Sequence, residues 1–169
     1  MTILVVFFVF LQQIHYFMSL SPSKVNLFLF LKLPSAFWCG VRLRSITKED
    51  SSATVTFRWF NQNPFKSMYF AVQSMAAELT TGALVMNAIK ESGQNISMLV
   101  VSNNASFQKK AVGTITFTCL DGAPIAAAIQ RTITTGEGQL LSMKSIGKDQ
   151  NGDQVSEFNF EWSIKIKSK

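Results

Sequence analysis

Within the stretch Ser67–Ile89, 23 residues long, Glu78 is the single charged side chain. A carboxylate enclosed by apolar neighbours has its pKa raised, toward the range where it takes and returns protons or attacks an electrophile. On a helical wheel Glu78 is flanked by Ala71, Gly82 and Ile89, and the small neighbours leave room for a substrate. A salt bridge to Arg58 or Lys66 is the alternative, in which Glu78 is paired and does no chemistry. Other chemistries lack their residues. Cys39 and Cys119 belong to no CxxC pair, and with His15 as the sole histidine they cannot build a zinc site. Both read as reduced thiols of a cytoplasmic protein, and neither metal nor cofactor is expected.

The element that must carry Glu78 is a helix. Met68, Val72, Met75, Leu79, Ala83 and Met86 recur in steps of three and four. Phe70, Ala77, Leu84 and Ala88 lie on the other side, and a helix apolar most of the way round is enclosed. Gln73, Ser74, Thr80, Thr81 and Asn87 make it too polar to cross lipid. The expected bounds are about 65–91, with Asn63 as cap and Pro64 in the first turn.

The rest reads as wrapping for that rod. A short N-terminal helix opens at Ser21-Pro22-Ser23 and closes before Pro34. Gly40–Thr47 and Ser52–Phe60 form a hairpin, with Ala53, Val55, Phe57 and Trp59 on its inner face. After the rod, Ile96–Phe107, Thr114–Leu120, Pro124–Thr135 and Gln139–Ile146 read as strands. A turn at Asn151-Gly152 then leads into a last strand with Phe158, Phe160, Trp162, Ile164 and Ile166 inward. The pattern is an α+β domain whose antiparallel sheet curls around one long helix.

Composition narrows the partners. A chain of 169 residues with 47% apolar and 15% charged side chains is one folded domain and excludes disorder. The net charge of +6 comes with no basic run interleaved with stacking aromatics, which argues against nucleic acid. It suits a phosphate-bearing small molecule equally well. Residues 1–17 contain the apolar run Ile3–Leu11, with neither a basic start nor a small-residue cleavage site. They read as an extension outside the fold, leaving the domain at 18–169, and a membrane is a partner only if they are a real anchor. Asn95-Ile-Ser97 and Asn104-Ala-Ser106 match the glycosylation pattern by chance.

The order hairpin, long helix, meander resembles the hotdog fold of acyl-CoA thioesterases, and local motifs resemble those of its phenylacetate-type members. Asn61 and Asn63 stand in the family's Asn-containing loop, and Ala77-Glu78 matches its acidic position. Phe107-Gln-Lys-Lys-Ala-Val-Gly113 and Asp149-Gln-Asn-Gly152 match two later stretches. The likeness covers about residues 23–167 and is closest to a bacterial branch known as a domain of unknown function. Tyr69-Phe70-Ala71 departs from the family's His-Gly-Gly at the helix start.

The resemblance implies hydrolysis of an acyl thioester, which needs donors for the carbonyl oxygen and a base or nucleophile. Free amides at the helix start supply donors, so Phe70 is the backbone donor and Glu78 the working carboxylate. Tyr69, Ala71, Gln73, Gly82, Asn61 and Asn63 are then expected to contact substrate, with Lys109 and Lys110 at the coenzyme A phosphates. Phe70 and Glu78 are eight residues apart, about 12 Å along one helix, too far for one thioester carbon. The site therefore calls for two copies of the chain, as a homodimer or a dimer of dimers. The alternative is a non-catalytic hotdog protein that binds acyl-CoA or an acyl chain.

Overall fold

The structure is a computed structural model that describes residues 20–167. The reading of residues 1–17 as an extension lies outside the described residues. Two helices open the chain, α1 (Pro22–Lys32) and α2 (Pro34–Trp38), broken at Leu33 where Pro34 follows. Then come β1 (Arg42–Ile46), β2 (Ser51–Thr56), a 3-10 turn at Trp59–Asn61, and the long helix α3 (Phe70–Ser92). Strands β3 (Ile96–Phe107) and β4 (Thr114–Cys119) precede α4 (Gly122–Thr135), and β5 (Gln139–Lys148) and β6 (Gln154–Ile166) close the fold.

The six strands form one antiparallel sheet in the order β1-β2-β4-β5-β6-β3. It is a hotdog fold. Helix α3 packs against β1, β2, β4, β5 and β6, so the sheet wraps it as the alternating strands demand. Phe117, Phe158, Ile115, Val55 and Ile164 from the strands meet Val72, Ala76, Ala83 and Leu84 from the helix in a single core. Among the described residues no helix is long and apolar enough to cross a membrane.

The two edges of the sheet differ. At β1 the Asn26 side chain of α1 accepts the Leu43 N–H (2.9 Å) and donates to the Leu43 carbonyl (3.0 Å). One amide side chain thus takes the place of a neighbouring strand, and Val25 and Leu29 of α1 are buried beneath it. At the other edge, among the described residues, β3 pairs with β6 alone, and its residues after Ile96 are largely exposed.

Three expectations are corrected. Pro124–Thr135 is helix, not strand: Ile125, Ala128, Ile129 and Thr132 are buried at helical spacing, and Gly136 ends it in the left-handed region. Gly122 opens this helix against the β1–β2 turn, where any Cβ would sit 2.0 Å from the Lys48 carbonyl oxygen. The rod starts at Phe70 rather than near residue 65, because Asn63 caps a turn instead of a helix. Strand β2 ends at Thr56, so Trp59 lies outside the inward row and is exposed.

Candidate active site

Glu78 stands in the third turn of α3 and is partly buried. Among the described residues its carboxylate has no hydrogen-bond or ion-pair partner, so the pairing with Arg58 or Lys66 is not made. Burial alone pushes its carboxyl upward from the ordinary value, because water that would stabilise the charge is excluded. No cluster of metal-ligating side chains occurs among the described residues.

One turn further on, Gly82 explains what lies beside that carboxylate. A Cβ at Gly82 would be 3.3 Å from the Trp162 ring and 3.8 Å from Glu78 Oε1. The indole and the carboxylate therefore flank one spot that only the absence of a side chain keeps open. Trp162 Nε1 donates to Thr81 Oγ1 (3.1 Å), which fixes the ring there, and the Thr81 hydroxyl itself donates to the Glu78 carbonyl (3.1 Å). Sequence reasoning had Trp162 only as one of an inward row. The signal was Gly82 itself: a glycine midway along an enclosed helix has something large against it.

The start of α3 supplies a different chemistry. Tyr69 is the N-cap residue and contributes no side-chain cap. The Phe70 and Ala71 amides have no intrahelical acceptor, and the positive end of the helix dipole sits on them. Tyr69, Phe70 and Phe107 form an exposed aromatic wall here, with ring centroids 4.9 Å apart for the first pair and 6.4 Å for the second. Ala71 shares the Glu78 side of the helix and is partly buried.

The other expected contacts make bonds within the chain. Asn61 is buried: its Nδ2 donates to the Cys39 and Thr56 carbonyls (both 2.9 Å), and its Oδ1 accepts the Arg58 N–H (2.8 Å). Asn63 Oδ1 accepts the Phe65 N–H (2.9 Å) and its Nδ2 reaches Ser67 Oγ (3.1 Å). Gln73 faces the sheet, where Ser156 Oγ donates to its Oε1 (2.9 Å). Lys109 is ion-paired with Asp149 (2.7 Å) and Asp153 (2.9 Å), and Lys110 Nζ donates to the Phe65 carbonyl (3.2 Å). Helix α3 thus takes part in two groupings: Glu78 and Gly82 along its side with Trp162 of β6 against them, and the amides of Phe70 and Ala71 at its start.

The family described as a domain of unknown function, DUF4442, matches residues 10–164. The chain belongs to it. No curated protein matches the chain. Among solved structures, a DUF4442 fold of this kind is similar to a Pseudomonas aeruginosa protein of unknown function called a probable thioesterase. The two share 19% identity with a TM-score of 0.73, over 87% of this chain and 97% of that one. A Chlorobaculum tepidum protein of unknown function shares 17% identity with a TM-score of 0.74, over 88% of this chain and 99% of that one. A Haemophilus influenzae thioesterase shares 12% identity with a TM-score of 0.69, over 88% and 93%. At such identities the likeness is one of fold.

Proposed function

We propose that this DUF4442 protein is an acyl-CoA thioesterase whose site is shared by two copies of the chain. The observation that carries the reading is the Glu78 carboxylate: partly buried, unpaired among the described residues, and pushed upward in pKa by burial alone. An enclosed carboxylate without a partner costs stability, and a working base or nucleophile is a reason to keep one.

In this reading Glu78 takes a proton from water as the water oxygen attacks the thioester carbon. The proton returns to the thiolate as the carbon–sulfur bond breaks. Direct attack by the carboxylate, through an anhydride that water then opens, uses the same residue. The charge on the carbonyl oxygen is met by the Phe70 amide of the other copy, because within one helix the two groups are about 12 Å apart. The bare edge of β3 is where the second copy adds, since Asn26 already covers the edge at β1. Phe107, at the end of β3, touches Phe70 at the helix start, which supports a shared site beside that edge. Tyr69, Phe70 and Phe107 would line the acyl chain. Unpaired Cys39 and Cys119 suit the reducing cytoplasm.

Release of free thiol from short, medium, long and aryl acyl-CoAs tests the reading. Wild type releases thiol from at least one of them, and Glu78→Gln lowers kcat by about a hundredfold, as loss of a general base does. No release from any ester overturns it. Tyr69 at the helix start, with its exposed aromatic neighbours, favours a second reading as an acyl-CoA or acyl-chain binder. Calorimetric binding of an acyl-CoA that is never cleaved is its signature.

A further inference from the structure

Helix α1 is pinned to the domain on one side and, past its first turn where Ser23 and Lys24 are exposed, apolar on the other. Val25 and Leu29 are buried and Asn26 is bonded to β1, yet Leu27 and Leu31 on the outer face are 57% and 61% exposed. A helix laid on a soluble domain ordinarily turns charged and polar residues outward. The apolar surface continues from Phe30 through Phe37, whose rings are 5.0 Å apart, to the exposed Trp38 at 5.8 Å. The bond from Asn61 to the Cys39 carbonyl holds the neighbouring turn alongside, where Trp59 is 80% exposed.

Three arginines rim this surface. The Arg42 guanidinium lies 3.7 Å over the Phe37 ring, and Arg44 and Arg58 are near enough for their charges to act on it. Among the described residues none of the three has an ion-pair partner.

We propose that the outer face of α1, with Trp38, Trp59 and the Arg42–Arg44–Arg58 rim, docks the protein on an anionic lipid surface. Leucines entering the acyl boundary, tryptophans at headgroup depth and arginines among phosphates match what such a surface offers at each level. A second copy is the poorer occupant, because a twofold contact through this face brings the three arginines of each copy into one interface while residues 20–46 hold no acid to meet them. The sequence entering α1 agrees: the apolar run Ile3–Leu11 stands just before it. The inference is independent of thioester hydrolysis.

Co-sedimentation of the full chain with extruded vesicles tests it, using phosphatidylcholine alone and phosphatidylcholine mixed with phosphatidylglycerol. The protein pellets with the mixed vesicles, less with the neutral ones, and less again as salt is raised. Leu27→Glu/Leu31→Glu lowers the partition coefficient about a hundredfold, from two leucines no longer buried. Both positions are exposed, so circular dichroism of the double variant matches wild type. Tryptophan emission shifts to the blue on binding and is quenched by brominated lipid, a readout that needs no variant. A chain begun at Met18 separates the two apolar segments and still pellets. The proposal is overturned if wild type ignores both vesicles, or if the double variant binds unchanged. It is equally overturned if the Met18 chain loses all binding, or if the double variant only lowers the mass seen by light scattering.

Discussion

Glu78 sets the pH behaviour expected of the molecule. Burial favours its neutral form, so the folded chain holds that proton to higher pH than the unfolded chain does. The sign follows: its contribution to stability is fully present below the unfolded pKa and is lost as pH rises through the raised folded value. Glutamine has the shape of the neutral acid and no charge to bury. Glu78→Gln therefore melts above wild type at neutral pH, and the two curves converge in acid below the ordinary carboxylate range, as thermal denaturation across pH will report. A variant that melts lower at neutral pH means that the charge is paired after all. In turnover the same group gives kcat/KM a rising limb with pH, displaced upward from an ordinary carboxylate, and Glu78→Gln abolishes that limb along with the rate. A residue that weakens the fold and serves the proposed chemistry is the expected conflict between stability and activity.

At the scale of elements, helix α3 is turned so that Glu78 lies beside Gly82 and the Trp162 ring. A buried polar ladder does this on the opposite side. Gln73 meets Ser156 at 2.9 Å, Thr80 meets Ser145 at 2.9 Å, and Ser51 Oγ donates to the Thr80 carbonyl at 2.6 Å. Rotating the helix by one residue would strand every one of these groups in the core. Thr80→Val leaves the Ser145 hydroxyl without its partner and costs about 1–3 kcal/mol in urea denaturation. Adding Ser145→Ala removes the stranded hydroxyl and returns part of that loss, a coupling that a double-mutant cycle measures. Equal additive losses would mean that the pair contributes nothing to helix orientation.

The same scale separates what was legible in the sequence from what was not. Strand β6 announced itself, because Phe158, Phe160, Trp162 and Ile164 alternate cleanly and all four are buried. The rod was legible for the same kind of reason, since one charge in an apolar helical pattern leaves few other readings. Helix α4 was not: Pro124 and the β-branched residues near its end suggest a strand, while the burial of Ile125, Ala128, Ile129 and Thr132 is decided by packing on α3. The start of α3 was misplaced because Asn63 and Pro64 carry a helix-start signal that a turn spends first, closed by the bridge between Gln62 and Met68. Glu78 could be singled out by its isolation among apolar residues. Trp162 could not be joined to it, since only the fold sets β6 against Gly82. The ion pairs of Lys109 were not legible either, because Asp149 and Asp153 lie 40 or more positions away along the chain.

For the whole molecule, the open edge of β3 decides whether one chain or two make a site. Along this twelve-residue strand about every second residue turns its backbone N–H and C=O away from β6, which invites another strand, and Leu99 and Val101 on it are 68% and 52% exposed. Among the described residues β1 offers no edge of that length, being five residues long with α1 packed on it and Asn26 bonded to Leu43. Lysine is how natural sheets blunt such edges, so Leu99→Lys/Val101→Lys should convert the proposed dimer to a monomer of unchanged circular dichroism. Both side chains are outside the core, and little stability should be lost with them. If the Phe70 amide and the Glu78 carboxylate act on one thioester only across two copies, that monomer loses thiol release even though neither residue has changed. Size-exclusion chromatography with light scattering, followed by the thioester assay on the same fractions, reads both outcomes together. A monomer that still turns over at the wild-type rate leaves each chain with a complete site of its own, and a different donor must then be found within about 3 Å of the thioester carbonyl oxygen.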